Sequence, residues 1–152
     1  MLKKQISAEF SKKDFKEEIP EEMASYKYLC EYNFEKHLKF LNKKLKNKKI
    51  IIYGAGIFFE TIYKYFDLTG LNIIGIADKK FEDHEENQTF LGYKVYSPSE
   101  IQEVSPDYLL VATKFYINLI EFLYYNVLIN TKIKIKPLVK KPFMTLLKEI
   151  WE

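Results

Sequence analysis

The stretch that most constrains the fold is Lys49-Ile50-Ile51-Ile52-Tyr53-Gly54-Ala55-Gly56-Ile57-Phe58-Phe59. A short apolar run is cut by Gly-Ala-Gly, and a helical pattern follows at once. This is how a buried parallel strand turns into a helix through a loop able to cradle phosphate. The first glycine permits the tight turn. Gly56 lacks a Cβ, so a phosphate can approach the backbone. The helix that follows points its free N–H groups and the positive end of its dipole at the anion.

The rest of the chain arranges itself around this unit. Residues 1–19 read as a polar arm, and Pro20 with Glu21 and Glu22 opens a helix expected to run to about Lys46. Its apolar face is Met23, Tyr26, Cys30, Phe34, Leu38, Leu41 and Leu45. The helix after Gly56 carries Phe59, Ile62 and Phe66 on one face, and Gly70 is placed to end it as a left-handed cap. Asn72–Ala77 is a second buried strand ending at Asp78, and Leu91–Tyr96 a weaker, half-exposed one. Ser97-Pro98-Ser99-Glu100 opens a short helix through a capping box. Tyr108–Ala112 is again a buried strand and Phe115–Val127 a helix. Lys132–Lys136 alternates Lys and Ile as an edge strand does, and Pro142–Trp151 is amphipathic.

Strands alternating with helices imply an α/β, Rossmann-like open sheet, mainly parallel, of about five strands with helices on both faces. The expected units are the arm at 1–19, a helical extension at 20–47, the nucleotide-binding domain at 48–137 and the terminal helix at 138–152. Ligands of such sheets bind at the carboxyl ends of the strands, where strand order reverses. The residues expected there are Gly54, Ala55, Gly56, Ile57 and Phe58, then Asp78 and Lys79, then Ala112 and Thr113.

Each element of that site has a physical reason. Asp78 stands twenty-four residues after Gly54 and can accept hydrogen bonds from ribose hydroxyls. It would repel a 2′-phosphate, whereas Lys79 and Lys80 beside it could pair one. The third glycine of a dinucleotide fingerprint would fall at Phe59, whose ring would hold the helix further from the strand or rotate it. Asp83, His84, Glu85 and Glu86 read as a solvated loop rather than metal ligands, since four adjacent residues cannot converge on one ion. Tyr32-x-x-x-Lys36 has the spacing of a dehydrogenase proton relay but precedes the glycine loop instead of following it. Neither a Ser/His/Asp set nor a Gly-x-Ser-x-Gly elbow is present.

Composition narrows the classes of partner. All 24 basic residues are lysine, and they interleave with 21 acids to a net charge of +3, which argues against nucleic acid. The single cysteine, Cys30, excludes an intrachain disulfide and a Cys-based zinc site, and is expected to pack on a helix face. No apolar run approaches the roughly 20 residues of a membrane span, and the first residues do not form a signal peptide, so a cytoplasmic location is expected. The end helices are expected to cover the sheet, to form an oligomer or partner surface, or to touch a membrane surface, in that order.

Four segments carry a family likeness: Ile-Ile-Ile-Tyr-Gly-Ala-Gly (50–56), Ile-Ile-Gly-Ile-Ala-Asp (73–78), Phe-Leu-Gly-Tyr-Lys-Val-Tyr-Ser-Pro (90–98) and Asp-Tyr-Leu-Leu-Val-Ala-Thr (107–113). Together they resemble the small Rossmann-like nucleotide-binding domains of bacterial surface-polysaccharide and nucleotide-sugar biosynthesis, such as those preceding nucleotide-sugar dehydratases and sugar acetyltransferases. The resemblance covers about residues 48–130. It implies that the loop Gly54–Phe58 and Asp78 contact a nucleotide, either NAD(P) or a nucleotide-sugar, with no metal. The sequence departs from that pattern in carrying neither a hexapeptide repeat nor a dehydratase half, so the expectation is of the binding module alone. Two other expectations stand beside it: an interaction or regulatory module with a vestigial glycine loop, and a small oxidoreductase.

Overall fold

A computed structural model describes residues 19–141. In chain order the elements are α1 (Glu21–Glu31), α2 (Phe34–Lys44), β1 (Ile50–Tyr53), α3 (Ile57–Tyr65), β2 (Ile73–Ala77), β3 (Thr89–Phe90), β4 (Tyr93–Tyr96), α4 (Ile101–Val104), β5 (Tyr108–Val111), α5 (Ile117–Asn126) and β6 (Lys134–Pro137). Single 3₁₀ turns at Lys79–Phe81 and Pro98–Glu100 follow β2 and β4.

The strands form one six-stranded sheet in the order β3-β4-β2-β1-β5-β6. All neighbouring pairs are parallel except β3–β4, which is an antiparallel hairpin. This is the expected α/β open sheet with one strand more than foreseen. The extra strand arises because Leu91 and Gly92, expected inside a strand, take φ of 52° and 83° and make the hairpin turn. Two successive positive φ values are what a tight two-residue hairpin requires.

Alternation along each strand feeds two cores. Ile50 and Ile52 of β1, Ile76 of β2 and Leu110 of β5 point to one face, where Leu29 of α1, Phe34, Leu38 and Leu41 of α2, and Phe59 and Ile62 of α3 meet them. Ile51 and Tyr53, Ala77, Tyr96, Leu109 and Val111 point to the other, under Ile101 of α4 and Tyr116, Leu123 and Leu128 around α5. All four residues of β1 and of β5 are buried, as parallel strands covered on both sides must be. β6, at the edge, instead exposes Lys134 and Lys136 alternately.

Several local expectations are corrected. The helix expected from Pro20 to Lys46 is two helices, because Asn33 takes a left-handed φ of 51° between them. Asn tolerates that region better than other non-glycine residues. α1 buries Ser25, Tyr26 and Leu29, so Leu29 rather than Cys30 stands in the core and Cys30 is exposed. Gly70 caps no helix: α3 ends at Tyr65, and Phe66 is already extended. A Cβ at Gly70 would stand 2.6 Å from the Asn42 side chain, which would have to turn away to admit it. The arm before residue 19 and the amphipathic helix from Pro142 lie outside the described residues.

Candidate functional site at the β1–β5 switch point

β1 lies between β2 and β5, so strand order reverses beside it. α3, which follows β1, packs on one face, and α4 and α5 lie on the other. The crevice of a doubly wound sheet opens at the carboxyl ends of such a strand pair. Here those ends are Gly54–Phe58 after β1 and Ala112–Lys114 after β5.

Gly54 and Gly56 are glycines for different reasons. Gly54 has φ +121°, and a Cβ on it would stand 2.9 Å from the carbonyl oxygen of Ala112. Its N–H donates to the Ala77 carbonyl at 2.9 Å, so the turn is locked between β2 and β5. No other residue adopts that conformation without strain. Gly56 is the N-cap of α3 with φ −98°, a value any residue adopts, and a Cβ on it would meet nothing within 4 Å. The fold does not require glycine there. Gly56 and Ile57 are exposed, while Ala55, Phe58 and Phe59 are buried. Phe59, at the third-glycine position, is fully buried in the core beneath α3.

The loop is held from the β2 side. The Ala55 N–H donates to Asp78 Oδ2 at 2.7 Å. The other carboxylate oxygen, Oδ1, accepts the Lys80 N–H at 3.0 Å, capping the turn at Lys79–Phe81. The Lys80 ammonium completes the clamp by donating to the Ala55 carbonyl, while lying 4.7 Å from the centroid of Phe90 and 5.4 Å from that of Phe81. The peptide unit on each side of the Ala55 Cα is thus tied to a side chain. Asp78 retains further acceptor capacity, since each ionised oxygen carries two lone pairs. Lys79, expected to share the site, is exposed on the 3₁₀ turn; Lys80 is the lysine that faces the loop.

Across the crevice, Ala112 is buried and Thr113 half-buried, with Thr113 Oγ1 3.4 Å from the Phe115 carbonyl. Lys114 extends beside the first turn of α3, its ammonium 5.9 Å from the centroid of Phe58 and 5.7 Å from that of Tyr28. The Tyr28 hydroxyl reaches back to the Lys114 carbonyl at 3.3 Å. The crevice therefore carries a cation, a helix N-terminus without a side-chain cap, and an exposed glycine. That combination suits an anionic group such as a phosphate.

Residues 46–135 match the family model described as C2185-like, N-terminal. The chain belongs to this family. No curated protein and no solved structure matches it. The C2185-like region runs from just before β1 into β6 and holds the glycine loop, Asp78, Lys80 and Lys114; α1 with Tyr28 and the whole of α2 precede it.

Other side chains near this end of the sheet bear on chemistry. Tyr53, the last residue of β1, has its pKa raised, first by burial and then by the charges of Asp78 and Glu82. It stays protonated and is a poor base at neutral pH. His84 joins no metal cluster, and none is found among the described residues. Its Nδ1 lies 2.8 Å from the Glu85 carbonyl and its Nε2 2.5 Å from Glu100 Oε1, which also accepts the Ser97 N–H at 2.8 Å. This pins the 79–88 loop to the turn after β4. Tyr32 of the Tyr-x-x-x-Lys spacing packs on Tyr28, with ring centroids 4.5 Å apart.

Lys114 and Tyr28 are absent from the sequence-predicted site, and Lys80 is expected there only as a partner for a 2′-phosphate. Lys80 had a local signal, standing two residues beyond the strand-end acid. Lys114 stands one residue beyond Thr113. Nothing in the sequence ties Tyr28 to either.

Proposed function

We propose that the chain is a nucleotide-binding module that takes NAD(P) or a nucleotide-sugar at the β1–β5 switch point and serves bacterial surface-polysaccharide or nucleotide-sugar metabolism. The observation that carries the reading is Gly56. It needs no glycine for its φ, and a Cβ there would collide with nothing in the protein. A ligand that approaches the start of α3 closely accounts for the residue, as pyrophosphate does on helices of this type.

In this reading Gly56, Ile57 and Phe58 offer N–H groups to a phosphate, and Lys114 supplies a positive charge beside them. Asp78 fixes the Ala55 peptide and directs its remaining lone pairs to a ribose hydroxyl. Ala112 and Thr113 line the far wall. In this reading the module binds and a separate protein or domain reacts, since none of the described residues at the crevice is nominated as a proton relay for redox chemistry.

A second reading has its own observation. The clamp by Asp78 and Lys80 consumes both polar groups of Ala55 internally, as a loop retained only for structure would do. An interaction module would then be the function.

Thermal melting of the full chain against NAD, NADH, NADP, uridine and cytidine sugar nucleotides and S-adenosylmethionine separates the two. Ligand at a hundred times its Kd adds about 2.7 kcal/mol. A shift on the order of 5–10 °C with one nucleotide class supports the site. The absence of any shift, with all ligands at millimolar concentration, favours the interaction module.

A further inference from the structure

Helix α5 is apolar on both sides: Ile117, Ile120 and Leu123 pack on the core, and its outer face is apolar as well. Of its ten residues only Leu123 is buried. Phe122, Tyr124 and Tyr125 are 55%, 57% and 61% exposed, with Phe115 just before the helix at 76% and Ile129 just after it at 55%. These are five of the nine large apolar side chains that stand exposed among the described residues. Glu121 is the only charge from Phe115 to Thr131, in a chain that is 30% charged. At 100° per residue, Asn118, Phe122 and Tyr125 form one outward stripe.

The size of the patch matters. An aromatic side chain offers roughly 150–250 Å², so these exposures leave about 600 Å² of largely apolar surface. That is at the upper end of what a monomer leaves uncovered, about 300–600 Å². Tyr124 lies about 130° round the helix from the outward stripe, so two stripes brought together bury about 1,000 Å² of such surface, the threshold for a specific interface.

Charge selects the occupant. Helices that lie on membranes carry Lys or Arg along their polar face, and α5 has neither. The neighbouring edge strand β6 exposes Lys134 and Lys136, which guard it against strand addition. Apart from Lys141, whose ammonium lies 4.8 Å from the Phe115 ring centroid, the surface is rich in Tyr and Phe and poor in charge, the composition of a protein interface. The face is also self-complementary. In an antiparallel pair centred between Leu123 and Tyr124, Phe122 meets Tyr125 of the other copy, Asn118 meets Ile129, and Glu121 meets Asn126. No like charges are opposed. The Asn126 amide donates one N–H to the Phe122 carbonyl at 2.9 Å and keeps its second for Glu121 across the axis.

We propose that α5 is the contact between two copies of this chain, packed antiparallel about a two-fold axis. This is independent of the nucleotide reading, since no residue of the glycine loop takes part.

The test is sedimentation of the full chain from about 1 to 200 μM. The mass is expected to rise from 18.2 kDa toward twice that value across the range. Phe122→Asp and Tyr125→Asp, both at exposed positions, should each raise the dimer Kd about tenfold or more, with the monomer's circular dichroism unchanged. Tyr63→Asp, exposed on α3, should leave it unaltered. Hydrogen exchange needs no variant: protection over residues 117–126 should grow with protein concentration. A chain that stays monomeric overturns the proposal, as does a dimer indifferent to both α5 variants. Monomers that bind phosphatidylserine vesicles through Phe122 and Tyr125 would assign the face to a membrane and overturn it as well.

Discussion

Replacing Gly56 with Ala separates folding from ligand approach within one loop. Two effects on the free protein oppose each other. Alanine restricts the unfolded chain and stabilises by about 0.4–1 kcal/mol where the native φ allows it, as the φ of −98° does. Alanine is also the poorer N-cap, by about 0.5–1 kcal/mol. The Cβ itself meets no atom within 4 Å. The net change is therefore within about 0.5 kcal/mol of zero, a Tm change of about 3 °C or less. Gly54→Ala is the contrast. Its φ of +121° and the Ala112 oxygen 2.9 Å from the new Cβ should cost about 1–3 kcal/mol, lowering Tm by on the order of 4–10 °C. With nucleotide at a hundred times the wild-type Kd, the shift of about 2.7 kcal/mol should collapse in Gly56→Ala. A hundredfold loss of affinity leaves only about 0.4 kcal/mol. The assay is differential scanning fluorimetry of the three proteins with and without ligand. A folded Gly56→Ala that keeps its full ligand shift would refute the assignment of the loop. One that melts as early as Gly54→Ala would refute the claim that the fold leaves Gly56 free.

Lys114→Gln should weaken nucleotide binding by about tenfold, the loss of one charge-assisted hydrogen bond, and flatten its dependence on salt; titration calorimetry at two ionic strengths reads both. Asp78→Ala should cost about 1–3 kcal/mol by leaving the Ala55 N–H without its partner, seen as an earlier urea midpoint even with no ligand present; an unchanged midpoint would mean the clamp contributes nothing. The His84–Glu100 pair gives a pH signature. The His84 pKa is raised, first by the Glu85 carbonyl and then by Glu100, with Lys94 opposing. That stability is full below the ordinary histidine value of about 6.5 and is lost as pH rises through the raised one. The Glu100 pKa is lowered, chiefly by the Ser97 N–H and then by His84, so its share is lost as pH falls through that lowered value. Melts across pH 4–9 should peak at mildly acidic pH, and His84→Gln should remove the decline on the alkaline side. Gly75→Ala should be among the most disruptive single changes, because the new Cβ would lie 2.2 Å from the Tyr96 ring and 2.9 Å from the Lys94 carbonyl oxygen; failure to recover folded protein is the expected outcome, and a normal melt would count against the β2–β4 packing.

The sheet was legible because its signals are local and redundant. Ile50–Tyr53 has no polar residue to compete with burial, and Gly54 sits where only a positive φ makes the turn. The edge position of β6 followed from its Lys/Ile alternation. The break at Asn33 was not legible, since the apolar spacing of Tyr26, Phe34 and Leu38 runs on through it and a single left-handed residue leaves that spacing intact. Leu91 concealed a turn for the converse reason: an apolar residue reads as strand, and only its pairing with Gly92 in a hairpin forces φ positive. At the site, the residues on the strand ends were foreseeable from topology. The clamp was not, because whether Asp78 faces a ribose or the Ala55 N–H depends on a side-chain rotamer, and the meeting of Lys114 with Tyr28 spans 86 residues.

The central position of β1 has a consequence for how the chain comes to be folded. Its partners are Ile73–Ala77 on one side and Tyr108–Val111 on the other. The strand made first therefore waits longest for its second neighbour, and three buried isoleucines stay half-covered until nearly sixty further residues have been made. Pairings of that separation place the chain among slower folders than a helical bundle of equal length. During that interval α1 and α2, which precede β1 and pack on the same core as Ile50 and Ile52, are the elements already present to shield one side of it.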